Sequence, residues 1–110
     1  MNPSIRILSI RIINNIFISD LTLINWSMID TILKIALNEK QSLKIEISYL
    51  LYNFVEKDCL FMIKKAIKHG LIKILFDYTL LFNKLCQRNA NDACMSLSKR
   101  VREEKKEDTK

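Results

Sequence analysis

Few residues of this chain have both the type and the spacing to do chemistry. His69 is the only histidine, and no Ser/His/Asp arrangement surrounds it that would make a nucleophile and base. The single glycine, Gly70, rules out a Gly-rich phosphate loop. Cys59, Cys86 and Cys94 make an odd count without paired spacing. They form neither a zinc-binding cluster nor a disulfide framework, and read as reduced, mostly buried thiols of an intracellular protein. No enzyme activity, cofactor or metal is therefore expected. What does stand out is a segment that occurs twice in outline. Ile10-Arg11-Ile12-Ile13-Asn14-Asn15-Ile16 returns as Ser48-Tyr49-Leu50-Leu51-Tyr52-Asn53-Phe54, each an apolar run that carries an amide side chain.

The elements that must hold these segments read as helices throughout. One Gly and one Pro in 110 residues leave too few turn residues for an all-β chain. The periodicity predicts helices over 4–18, 28–37, 42–56, 59–69 and 71–84, with a short one at 21–25 that Asp20 would cap. Asp58 is placed to cap the helix from 59. Gly70 should end that helix sharply, because glycine enters the left-handed conformation at little cost. His69 beside it suits the negative end of the helix dipole, and Trp26 is expected in the core. The rhythm is triplets of helices, repeated at a few tens of residues, which is the mark of a solenoid. The expected organisation is repeats over 1–84, a degenerate helical end at 85–98 and a charged, disordered tail at 99–110.

Net charge is +6, but no stripe of Arg and Lys interleaved with aromatics accompanies it, so nucleic acid is not an expected partner. The tail from Lys99 to Asp108 is mixed in sign and nearly free of apolar residues, which reads as a solvated, disordered run or a frayed helix end. The first apolar stretch, 5–18, is interrupted by Arg6 and Arg11. It is too short and too charged to cross a membrane, which takes about 20 apolar residues, and it lacks a signal-peptide cleavage site.

The second copy resembles the third helix of an armadillo repeat of the importin-alpha (karyopherin-alpha) family. That helix places an acidic residue, an aromatic, then Asn and an apolar residue, and Glu46, Tyr49, Asn53 and Phe54 fall in this register. Lys68-His69-Gly70-Leu71-Ile72-Lys73-Ile74-Leu75 resembles the family's junction between first and second helices, and Ser27-Met28-Ile29-Asp30-Thr31-Ile32-Leu33 the same junction with Ser for Gly. Asn15 to Asn53 spans 38 residues and Ser27 to Gly70 spans 43, close to the repeat length of about 40–47. The resemblance covers roughly 5–84. It implies an all-α, armadillo-type right-handed α-solenoid fragment of about two repeats, fewer than the three that solenoids need.

The resemblance also implies a function: a nuclear import adaptor fragment, in cytoplasm and nucleus, that binds basic nuclear localisation signals of cargo proteins in a concave groove. Asn15 and Asn53 would clamp the peptide main chain, since an amide both donates and accepts. Tyr49 would wall the stem of a Lys or Arg, and Arg11 stands where the family most often has Trp. Spacing of four puts Arg11 with Asn15, and Tyr49 with Asn53, on one helical face each. The family's basic importin-beta-binding segment has no counterpart here, so a carrier of that type is expected only if that segment exists elsewhere. Uncapped repeat faces imply self-association. Each residue has a plainer alternative: Asn53 bonding a neighbouring helix, Asn14 taking the place of Asn15, Tyr49 packing half-buried. The alternative function is a truncated or structural interaction module without signal-peptide binding.

Overall fold

The computed structural model describes residues 3–19, 25–38, 40–58, 60–81 and 83–108. Among them are six helices and no strand: α1 (Pro3–Ser19), α2 (Trp26–Ile35), α3 (Gln41–Lys57), α4 (Leu60–Lys68), α5 (Leu71–Thr79) and α6 (Lys84–Asp108). The chain is all-α. The expected short helix at 21–25 and its cap Asp20 lie outside the described residues, except for Asn25. That residue is extended and is itself a cap: its Oδ1 accepts the Met28 N–H at 3.1 Å, which satisfies a free donor of the first turn and starts α2 at Trp26.

α3 is the axis of the fold. Ile47, Leu50, Leu51, Phe54 and Val55 are wholly buried, because α3 has α1 on one flank and α6 on the other. Partners on α3 and α6 keep a near-constant separation along the chain. Cys86 Sγ meets the Lys44 carbonyl, Asn89 meets Ser48, Ser96 meets Glu56, and Arg100 reaches the Val55 and Asp58 carbonyls, separations of 40 to 45. A constant offset requires the two helices to run the same way. α1 takes the same sense, with Arg11 at Glu46 and Asn14 at Asn53. α5 packs on α6 and α2 on α4. A further long tie joins the layers, from the buried Tyr78 hydroxyl to the Ala36 carbonyl at the end of α2, 2.6 Å.

Gly70 behaves as expected, with φ 100° and ψ 12°. An added Cβ would meet nothing within 4 Å, so the position selects glycine for its backbone and not for lack of room. His69 Nδ1 lies 2.8 Å from the Lys65 carbonyl and, carrying the proton there, donates to one of the last free carbonyls of α4. Trp26 is half-buried against the core, with the His69 ring edge-on at 5.0 Å and the Lys65 ammonium 4.7 Å above its face.

The C-terminal third differs from its expected form. The helix expected over 71–84 stops at Thr79, and Asn83 opens a new one by accepting the Cys86 N–H at 2.9 Å. The helical end expected at 85–98 belongs to α6, which runs on to Asp108 through the segment expected as a charged tail. The reason is a row of small residues. Cys86, Ala90, Ala93 and Leu97 are buried at spacings of four, three and four, which lets α6 approach α3 closely although the row is short of large apolar side chains. Arg100 then donates to the Val55 and Asp58 carbonyls, closing the C-terminus of α3 with a cation where the dipole favours one.

Two stability changes follow. Gly70→Ala should cost about 1 kcal/mol, since an L side chain must enter the left-handed region, and Gly70→Asn should cost less; thermal unfolding followed by circular dichroism measures both. Ala90→Leu should cost about 1–3 kcal/mol by overpacking the close α3–α6 contact, read as a lower urea midpoint with an unchanged m-value.

Candidate functional site

The four residues that the sequence singles out divide between two settings. Asn53, on the buried flank of α3, is 5% exposed. Its Nδ2 donates to Asn14 Oδ1 at 3.4 Å, and Asn14, 3% exposed, passes its own Nδ2 to the Glu46 carbonyl at 3.4 Å. Asn53 thus serves the contact of α3 with α1. Asn14 fills the partner position on α1, whereas Asn15 points to solvent. These amides are satisfied inside the fold, as a buried amide must be.

Arg11 and Tyr49 lie on the surface. Arg11 Nε donates to Glu46 Oε1 at 2.9 Å, with the two side chains 59% and 20% exposed. Tyr49, three residues beyond Glu46, shares its face of α3 and is 41% exposed. Together Glu46 and Tyr49 form one bank of a groove of about 470 Å³ between α3 and α6, with Ile45 and Tyr52 beside them. α6 forms the other bank with Leu85, Arg88, Asn89 and Asp92. Asn89 Nδ2 donates to Ser48 Oγ at 3.1 Å across the floor, and Ser48 in turn donates to the Ile45 carbonyl at 2.6 Å. Arg88 and Asp92 are 4.0 Å apart, a loose exposed pair of little energetic weight.

The groove offers two phenol rings, two carboxylates, the Arg88 guanidinium beside Asp92 and one amide along two helices that run the same way. Such a lining suits an extended cationic chain: rings take the apolar stems, carboxylates the charges. The α6 bank was hidden from the sequence, because Asn89 and Asp92 fall in a stretch with few large apolar residues. The row Cys86, Ala90, Ala93, Leu97 was the signal that would have placed them on a packed helix. Of the other acidic residues, Asp30 pairs with Lys34 at 2.9 Å and Glu56 accepts from Ser96, while Asp20 lies outside the described residues.

Burial pushes the Cys86 thiol above its ordinary range, against weaker opposing effects of Ser48 and Lys44, and burial raises Cys94 as well. Both thus stay protonated near neutrality and are poor nucleophiles; Cys59 lies outside the described residues. Among the described residues no group of three His, Cys, Asp or Glu could hold a metal ion. No helix among them is long and apolar enough to cross a membrane.

The amide chain is testable in isolation. Asn53→Ala leaves Asn14 Oδ1 buried without its donor, with only the Glu46 contact kept, and should cost about 1–3 kcal/mol. Replacing both Asn14 and Asn53 by Leu should cost less than the sum of the two single changes, a non-additivity that a double-mutant cycle in urea reads directly. Compared with protein-family models, curated proteins and solved structures, the chain matches none.

Proposed function

We propose that this chain is an importin-alpha-like adaptor fragment that holds a basic nuclear localisation signal, in extended form, in the groove between α3 and α6. The carrying observation is the lining of that groove, with Glu46, Tyr49 and Tyr52 on the α3 bank and Arg88, Asn89 and Asp92 across from them on α6. The tyrosines cover the stems of Lys or Arg, the carboxylates receive their charges, and the amide meets the peptide main chain. The near-constant separation of 40 to 45 between partners on α3 and α6 supports an armadillo-type solenoid, because stacked repeats bring equivalent positions together at one repeat length. In this reading Tyr49 keeps the role the resemblance gives it. Asn53 becomes a strut between helices, and Asn89 takes over the peptide-facing amide. Cytoplasm and nucleus are the compartments that go with such an adaptor.

The burial of Asn53 against Asn14 favours a second reading, an armadillo-like interaction module that uses its amides as internal glue and binds no signal peptide. In it the exposed apolar rows Ile5, Leu8, Ile12 on α1 and Ile72, Phe76 on α5, continued by Leu80 just past its end, would serve association with another chain.

A fluorescence-polarisation titration with a lysine-rich localisation peptide separates the two. The adaptor reading expects micromolar or tighter binding, weakened about fivefold in Tyr49→Ala with helicity unchanged, the loss of one exposed cation–π contact. Absence of binding by a well-folded chain rejects it.

A further inference from the structure

We infer that the groove's charged subsite at Glu46 is built for a guanidinium, and that Arg11 occupies it as an internal stand-in for an arginine of the ligand. The inference rests on the adaptor reading and specifies its ligand. Glu46 lines the groove from α3, and its Oε1 is already held at 2.9 Å by Arg11 Nε, reaching over from α1. The Arg11 side chain is 59% exposed and that of Glu46 only 20%. The carboxylate is therefore the fixed, sheltered half of the pair, and the cation is the half free to leave.

Three observations make the subsite more than a surface ion pair. The Glu46 main chain is pinned by Asn14 Nδ2 at 3.4 Å, which is anchored in turn to the buried Asn53. The carboxylate thus stands on the best-packed helix of the fold. Tyr49 stands three residues further along the same face with its ring open to solvent, placed to stack on a planar cation bound at Glu46. The contact in place is made by a guanidinium N–H, the donor whose flat fork fits both a carboxylate and an aromatic face; an ammonium is a compact, strongly hydrated point charge and gains less from either.

A ligand arginine entering from the α6 side takes Glu46 and releases Arg11 to water. The exchange is inexpensive, because an exposed ion pair contributes little. Arg11 therefore lowers affinity without closing the site, and it filters ligands: only a side chain that binds Glu46 better than Arg11 does gains anything. Arginine at this position of the peptide is favoured over lysine.

The 110-residue chain, titrated with two fluorescent peptides identical except for arginine or lysine at every basic position, tests this in wild type, Arg11→Gln and Glu46→Gln. The expected results are tighter binding of the arginine peptide by wild type and about two- to fivefold tighter binding by Arg11→Gln. In Glu46→Gln, an isosteric change that keeps the main-chain contact with Asn14, the arginine preference should vanish. In wild type the Arg11 Nε–H resonance should shift as the arginine peptide is added. Binding that ignores both substitutions, or that weakens in Arg11→Gln, overturns the guanidinium subsite and leaves the adaptor reading standing. No binding of either peptide by any of the three folded proteins overturns both.

Discussion

The structure depends on the double burial of α3. A helix covered on two flanks must be apolar around most of its circumference, and Ile47, Leu50, Leu51, Phe54 and Val55 meet that demand with no exposed surface. Each such side chain contributes about 1.5–3 kcal/mol when removed from water, so α3 is where the fold gains most. Its neighbours are set by it. α1 and α6 hold their places by packing on α3, and α5 holds its own by packing on α6. The groove inherits its rigidity from the same source, since Glu46 and Tyr49 stand on the one helix that has no freedom to shift.

Apolar packing alone would let those flanking helices slide. Polar ties fix where they stop. On one side the amides of Asn53 and Asn14 lead to the Glu46 carbonyl; on the other Asn89 meets Ser48, and Arg100 closes the end of α3. A slip of one helical turn would strand the buried Asn14 and Asn53 amides in a dry contact, which costs more than their bonds contribute in place. Among the described residues no buried side-chain nitrogen or oxygen lacks a partner. Of the amides that stand out in the sequence, Asn14 and Asn53 set register between α1 and α3, while Asn15 is exposed.

What could be read in advance followed from strong periodicity and from single decisive residues. α3 and the break at Gly70 were legible, the first from a dense 3, 4, 7 spacing and the second because one glycine has one conformational reason to be there. For Tyr49 the sequence leaves two readings open, a ligand wall or half-buried packing, and the fold leaves the side chain exposed on α3. The side chain of Asn53 was not, because an amide in an apolar helix looks the same whether it meets a ligand or a neighbouring helix; only the position of Asn14 decides. The helicity of 85–98 is legible but its packing is not, because the contact face of α6 is made of Cys86, Ala90 and Ala93. Close approach of two helices needs small side chains, and a hydrophobic pattern built on Ile and Leu passes over them. The pairing of Arg11 with Glu46 joins residues 35 apart and follows from stacking, which no local pattern contains.

The even spacing of the long-range ties bears on how the chain reaches its fold. From Arg11–Glu46 to Arg100–Val55 these hydrogen bonds span 32 to 45 residues, and none of them joins the two ends of the chain. Closing any one of them carries nearly the same loop entropy, since that cost grows only with the logarithm of length. Assembly can therefore begin at either neighbour of α3 and spread outward, each docked helix shortening the search for the next. A chain so arranged can fold from its start while the remainder is still being synthesised.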